Sequence, residues 1–274
     1  MQYDPETLRR LQLALLEMLH EIDDVCREHD ITYFLDSGSA LGAVRHGGFI
    51  PWDDDIDLGM MREDYERFLA IAPKALPKDL RLVEPATTEH YSPMFAKVMK
   101  RGTKFYAKET TEAGFDLGIF IDIFPFDHLG PNPVVARKQM GVCRRWQKIS
   151  YLYHAPSVVV PHQGALGALE RGACRVAHNV LSRTTSADTI YRNYLSTAKL
   201  GQSRSDECAC LSYPKPRPYP KAIFLPTRRI PFEDGEFPVA ANVEAYLERS
   251  YGPDWNQLPP PEKRRNHKPE ILEF

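Results

Sequence analysis

No apolar run in this 274-residue sequence approaches the roughly 18 residues that a membrane-spanning helix needs. The opening "MQYDPETLRRLQ" also lacks the apolar stretch of a secretory signal. Neither sign of charge is in excess. Thirty-five Lys and Arg stand against 37 Asp and Glu, a formal net charge of −2. That balance excludes the strongly basic profile of a nucleic-acid binder. Cysteine is sparse and odd in number: Cys26, Cys143, Cys174, Cys208 and Cys210. No pair has zinc-site spacing, and Cys208 and Cys210 have no second pair to join, so they read as reduced thiols of a cytoplasmic protein. There is no internal repeat. The one biased tract is the proline-rich "YPKPRPYPK" over 213–221, expected as a loop or extended segment.

What is present suffices for a substantial core: 43% of residues are hydrophobic and 11% aromatic. Leu8, Leu11, Leu15, Leu19, Ile22 and Cys26 recur at helical spacing and predict an amphipathic helix over 5–29. Strands are expected at 31–36, 56–60, 80–85, 95–101 and 118–127, where β-branched and aromatic residues dominate. A short helix is expected after the first strand, with Ser37 or Ser39 as N-cap and Gly47 as its stop. Another is expected over 62–72. From 132 to 200 three helices are expected, then strands at "AIFL" and "RRIPF" and a helix over 241–250. The pattern predicts an α+β fold, a mixed sheet flanked by helices with a helical insertion. It divides into a catalytic core over 1–130, a helical region over 131–205, and strands, helix and tail over 206–274 that complete the core.

The densest chemistry lies in "GSALGAVRHGGFIPWDDDIDLG", residues 38–59. Four aspartates fall within its last seven residues. A solvated acidic turn accounts for Asp53 and Asp54, but not for an aspartate between Ile56 and Leu58. In an extended segment Asp55 and Asp57 share a face, and two carboxylates so placed call for a cation. A calcium loop is a poor match. Asp53, Asp55, Asp57 and Asp64 fall at ligand positions, but Leu58 stands where the turn glycine is required, and Asp64 is shorter than the usual Glu. A Mg²⁺ site for phosphoryl transfer fits better, because Gly38-Ser39 supplies a small-residue helix start that can approach phosphate. A further carboxylate on a neighbouring strand is expected, and Asp122, between Ile121 and Ile123, provides one.

Gly38-Ser39, then Asp55-Ile56-Asp57, then Asp122 on another strand resembles the nucleotidyltransferase superfamily. The stretch "GSALGAVRHGGFIPWDDDIDLGMMREDYERF" closely resembles the LicD family, and "FEDGEFPVAANVEAYLERSYGPDWNQLPPPEKRRNH" is similar to that family's C-terminal signature. The resemblance spans roughly 30–127 and 222–267, and nothing in 132–210 matches. It implies a nucleotidyltransferase-like sheet and a phosphotransferase. Such an enzyme moves an alcohol phosphate from a CDP-activated donor to a sugar hydroxyl of a glycan such as lipopolysaccharide or teichoic acid, releasing CMP. Asp55, Asp57 and Asp122 are then the catalytic and metal residues, holding Mg²⁺ or Mn²⁺, with Asp122 also taking the acceptor's proton. Gly38, Ser39, Arg45, Lys97 and His267 are candidates for substrate contact. Asp53 and Asp54 read as turn or supporting residues, and Trp52 as core.

CDP-choline is the favoured donor, because a quaternary ammonium needs aromatic faces and Tyr91, Phe95, Phe105 and Tyr106 lie close to the acidic strands in sequence. A sugar or lipid-linked glycan is the expected acceptor, and the latter would bring the protein to the inner face of the membrane. The helix around Ala165–Leu181, with Arg171, Arg175 and His178, could rest there, although packing on its neighbours is the simpler expectation. Two alternatives stay open: a nucleotidyltransferase acting on a small hydroxylated acceptor, and a non-catalytic metal- or nucleotide-binding module.

Overall fold

The computed structural model describes residues 3–106, 116–155, 160 and 162–274. Helix α1 spans Pro5–Glu28. Asp4 caps it by accepting from the Thr7 amide at 2.9 Å, and Pro5 occupies the first turn, where no donor is missed. Its apolar stripe, Leu11, Leu15, Leu19, Ile22 and Cys26, is almost wholly buried. The chain then forms β1 (Phe34–Leu35), α2 (Ser37–His46), β2 (Asp57–Met61), α3 (Arg62–Ala75), β3 (Leu80–Val83), β4 (Ala96–Lys100), β5 (Lys104–Tyr106) and β6 (Phe120–His128). Helices α4 (Pro133–His154), α5 (Gly164–Thr184) and α6 (Ala187–Ala198) follow. Then come β7 (Glu207–Cys210), β8 (Tyr219–Pro220), β9 (Arg228–Phe232), β10 (Gly235–Val239), α7 (Val243–Tyr251) and β11 (Ile271–Glu273).

The main sheet runs β1-β2-β6-β4-β3, with β7 and β8 extending it from β6. The β2–β6 pair is parallel and the others are antiparallel, so the sheet is mixed and the fold is α+β as expected. Strand β6 changes partner on one edge. Its first half pairs with β4 and its last three residues with β7. Phe124 and Pro125 fall between the two registers, where a proline without an N–H is tolerated. The residues after 206 therefore complete the sheet begun before 130. Helices α4 and α6 build a second core around Leu129, Cys143, Ile190 and Tyr194.

Alternation sorts the sheet. Leu58, Ile123 and Ala96 form one fully buried row, and Ile119, Ile121 and Val98 continue that face. Gly59 sits opposite Phe34 of β1, and a methyl group there would come within 2.3 Å of the Phe34 ring and 2.9 Å of Phe126. Those two rings pack edge to face at 5.1 Å, and Phe224 stacks on Phe34 at 4.7 Å. At the far end of β6, Asp127 binds Arg62 of α3 through both oxygens at 2.6 and 2.9 Å, and both side chains are buried.

Several local expectations are corrected. The N-cap of α2 is Asp36, not Ser37 or Ser39, while Gly47 does end the helix, in the left-handed conformation (φ 66°). "AIFL" is not a strand: Lys221–Ile223 makes a single 3-10 turn. Strands β5, β7, β10 and β11 went unread because each is only three to five residues long and owes its form to a distant partner. Helix α5 does not bury an apolar face as expected: Leu166, Leu169, Val176 and Val180 are all more than half exposed. All five cysteines are free, four of them buried. Among the described residues no helix is long and apolar enough to cross a membrane.

The Arg62–Asp127 pair generates a stability prediction. Removing one partner leaves the other charge buried and uncompensated, which costs about 3–5 kcal/mol. Asp127→Asn or Arg62→Met should lower the urea-unfolding free energy by that order. The double replacement Arg62→Met with Asp127→Leu should lose markedly less than the sum of the two single changes.

Candidate active site

The register of the sheet sets the site. Asp57 of β2 lies directly beside Asp122 of β6, and Asp122 lies directly beside Lys97 of β4. Asp36 continues the row, since its amide donates to the Asp57 carbonyl at 2.9 Å. Four polar residues thus line up across four adjacent segments, on the face opposite the buried Leu58–Ile123–Ala96 row. Asp55 lies two residues before β2, where the Ile56 carbonyl still accepts from the Asp122 amide at 3.0 Å, and its carboxylate lies 3.4 Å from His267 Nδ1.

Burial and mutual repulsion dominate the electrostatics. Burial raises the Asp57 carboxyl well above the usual carboxylate range, and the charges of Asp55, Asp122 and Asp36 raise it further. Asp55 is raised to about 6, chiefly by burial, with His267 working against the shift and Asp54 and Asp122 adding to it. Asp122 is raised by burial and partly offset by Lys97. The row therefore holds more negative charge than the protein compensates. Asp55, Asp57 and Asp122 supply oxygens of the type that Mg²⁺ takes, but among the described residues the acids do not gather as expected: the group whose ligand atoms come within 4.8 Å of one another is Asp54, Asp55 and His267, without Asp57 and Asp122.

The structure gives the other candidates more specific places. Gly38 and Ser39 lie in the first turn of α2. Ser39 Oγ accepts from the Asp57 amide at 2.9 Å, so the serine anchors the acid strand to the helix. A methyl group at Gly38 would stand 2.9 Å from Asp53 Oδ2, so the glycine admits the Asp53 carboxylate against the helix start. Lys97 is buried and ion-paired with Asp122, and its ammonium lies 3.6 Å from the Phe120 ring centroid and 5.2 Å from that of Phe95. Arg45 donates through one Nη to the carbonyls of Trp255 and Gln257, both at 3.1 Å, and so fastens the C-terminal segment. Trp52 is half-buried against the core, with the Arg264 guanidinium 4.7 Å over its ring.

His267 reaches the acids from the tail. Its amide donates to both oxygens of Asp54 at 3.0 Å, and its Nδ1 lies 3.2 Å from Asp54 and 3.4 Å from Asp55. Ligand atoms of Asp54, Asp55 and His267 all come within 4.8 Å of one another. Asp54 is nevertheless occupied, since it also accepts from the Tyr3 hydroxyl at 2.9 Å. It clasps the two chain termini over the acid strand. The hydrogen bond that the imidazole donates to Asp54 raises His267 to about 9, against the opposing effect of burial.

Three parts of the site escaped the sequence reading. Asp36 is completely buried and accepts from the Ser37 amide at 2.9 Å, from the Tyr213 hydroxyl at 2.6 Å and from the Tyr246 hydroxyl. Its only sequence signal was a polar residue ending an apolar run immediately before Ser-Gly-Ser. Tyr213 and Tyr246 arrive from more than 170 residues away, and nothing local marked them. The expected aromatic cage over 89–106 does not assemble: Tyr91 and Phe105 are buried in the core, and Phe95 already faces the Lys97 ammonium.

The raised carboxyls predict an inverted pH response. Their folded values exceed the unfolded value, near 3.9, so the folded chain binds more protons and the penalty of the acid row is relieved as pH falls. For Asp55 the window runs from about 6 downward. His154, lowered to about 4 by burial and by neighbouring histidines, acts in the opposite sense below its unfolded value. The diagnostic is therefore a difference. In chelator, the advantage of Asp57→Asn over wild type in melting temperature should be largest at pH 7.5 and shrink toward pH 5. An advantage that does not change with pH would mean that repulsion in the row is not its source. A second expectation concerns the tail. Asp54→Ala should speed amide exchange over 264–274 while leaving that of β4 and β6 unchanged.

Residues 30–165 match the family model described as LicD/FKTN/FKRP, nucleotidyltransferase domain. The lipopolysaccharide cholinephosphotransferase LicD of Haemophilus influenzae is 36% identical over 147 residues, which is 51% of this chain and 51% of that protein. Human ribitol 5-phosphate transferase FKRP is 47% identical over 51 residues, 19% of this chain and 10% of FKRP. An uncharacterized Rickettsia typhi protein, RT0683, is 42% identical over 62 residues, 23% of this chain and 20% of that one. The chain thus spans about half the length, or less, of the curated relatives it matches. The residues that form the acid row between Asp36 and Asp122 all fall inside 30–165, and through that domain the chain belongs to the LicD family.

Proposed function

We propose that the protein is a phosphotransferase that moves an alcohol phosphate from a CDP-activated donor to a hydroxyl of a glycan or its lipid-linked precursor, with CMP leaving. The observation that carries this reading is the direct register of Asp57 with Asp122. That geometry concentrates carboxylates where an apolar sheet would otherwise exclude them. The names of two relatives, a cholinephosphotransferase and a ribitol 5-phosphate transferase, support the reaction class.

Asp55, Asp57 and Asp122 are the residues that would hold Mg²⁺, which would supply positive charge against the donor's phosphates. The chain's own groups do the rest. Ser39 fixes the Asp57 backbone, and the first turn of α2 turns its amide dipoles toward negative charge. Lys97 holds Asp122 in one orientation. Asp122, raised by burial, accepts the proton of the attacking hydroxyl. Asp54 and Arg45 seat the C-terminal segment, so that His267 borders the reacting face.

Choline remains the first donor to test, on the strength of the H. influenzae relative alone. Of the aromatic side chains expected to cage it, Tyr91 and Phe105 are buried, Phe95 faces Lys97 and the Tyr106 hydroxyl donates to Asp116.

The test is product analysis with a panel of CDP-alcohols, Mg²⁺ and glycan acceptors. CMP release that chelator abolishes and Mg²⁺ restores is the expected result. Pyrophosphate release from a nucleoside triphosphate would instead indicate nucleotidyl transfer. Asp57→Asn should lower turnover by about two or more orders of magnitude, and near-normal turnover would remove the acid row from the mechanism. CDP-choline and CDP-ribitol in direct competition, read as a ratio of kcat/KM values, decide the donor.

A further inference from the structure

The proline-rich segment has a use that its composition conceals. Tyr213, Lys215, Arg217 and Tyr219 all line one pocket of about 240 Å³. Pro214, Pro216, Pro218 and Pro220, the alternate residues, do not. Each proline restricts its own φ and biases the residue before it toward extended backbone. The segment is thus a proline-restrained loop, bent over 213–215 and irregular over 216–218, that brings Lys215 and Arg217 to the pocket, while the Tyr219 ring packs on Phe224 and Tyr246. Strand β8 pins its end to β7. Arg217 is anchored by donating to the carbonyls of Arg249 and Ser250 at 2.7 and 3.1 Å, whereas Lys215 is exposed. Tyr246 and Tyr251 of α7 form the facing wall.

The pocket adjoins the acid row. Ser37, Tyr213 and Tyr246 line it, and all three donate to the Asp36 carboxylate at the end of the row. Ser37 itself is held at φ 47°, a left-handed conformation that a serine rarely adopts. Asp36, Tyr213 and Tyr246 all bond to it. Tyr251 is half-exposed and lines the same pocket as Ser37.

We infer that this pocket is a binding site for a ring that carries a phosphate, with Lys215 and Arg217 taking the phosphate and the half-exposed Tyr251 taking the ring. The guanidinium fork and the ammonium suit phosphate oxygens. Tyrosine offers flat apolar area with a polar edge, which suits a nucleobase or a sugar. The cations of Lys215 and Arg217 repel a quaternary ammonium, so the pocket is not a choline cage. The proline restraints on the loop lower the entropy lost on binding. In linking the pocket to phosphoryl transfer, the inference rests on the function proposed above, whereas its ligand chemistry does not. The shared chemistry has two sources, the nucleotide half of the donor or a phosphorylated sugar of the acceptor.

Calorimetric titration of the full chain in chelator, without turnover, tests it, with CMP, glucose 1-phosphate and inorganic phosphate as probes. At least one ring phosphate should bind about ten-fold more tightly than inorganic phosphate. Lys215→Glu should weaken that binding by about ten-fold with an unchanged melting temperature, and Lys215→Gln should weaken it less. Tyr251→Ala should weaken the ring phosphate but not inorganic phosphate. Asp57→Asn should leave binding intact or improve it. Preference for CMP assigns the pocket to the donor's nucleotide, and preference for glucose 1-phosphate assigns it to the acceptor. Equal binding of all three probes overturns the inference. So does wild-type affinity in Lys215→Glu, or loss of binding in Asp57→Asn. A chain that binds as expected but never releases CMP keeps the pocket and loses the transferase reading. A chain that turns over while Lys215→Glu and Tyr251→Ala bind normally does the reverse.

Discussion

Asp57 beside Asp122, in register on parallel strands, is the constraint around which the rest of the molecule is arranged. Two carboxylates at that spacing repel, and burial strengthens the repulsion. The fold holds them there because the next row, Leu58–Ile123–Ala96, is fully buried on the other face. A one-residue slip would exchange the two rows and place charges in the core. The apolar face therefore enforces the polar one, and the energy that fixes the acids comes from hydrophobic packing beneath them.

The surrounding polar groups divide by role. Lys97 answers one carboxylate with a charge. Ser39 answers with a hydrogen bond to backbone, which holds position without cancelling charge. Asp36 is the least expected. It is a buried carboxylate whose partners are all neutral donors, two tyrosines and an amide. That arrangement satisfies its lone pairs and leaves its field acting on the row. Partly compensated charge of this kind suits a centre that recruits a cation, and it leaves the cation-free chain less stable than a fully paired site would.

Long-range closure is the second theme. Asp54 collects Tyr3 and His267 from opposite ends of the chain, and Arg45 collects Trp255 and Gln257. Tyr213 and Tyr246 bring the proline-rich strip and α7 to the start of α2. The family domain over 30–165 supplies the acid row, but segments after 205 supply much of the wall around it.

Much of this was legible in the sequence. Apolar periodicity located α1 and α3 and most of β2, β4 and β6, because each of these buries its own face and carries its own pattern. Asp57 and Asp122 stood out as charges between buried isoleucines and leucines, a conflict that local physics exposes, and Asp55 by its two-residue spacing from Asp57. Register, pairing partner and closure were not legible. The edge strands β5, β7, β10 and β11 are too short to carry a period, and they exist because another segment offers them hydrogen bonds. Asp36 looked like the end of a strand, Asp54 like a turn residue and "YPKPRPYPK" like a loop. Each acquired its place from residues far along the chain. A sequence pattern records what one element buries against the rest, whereas the identity of the partner is a property of the assembled fold.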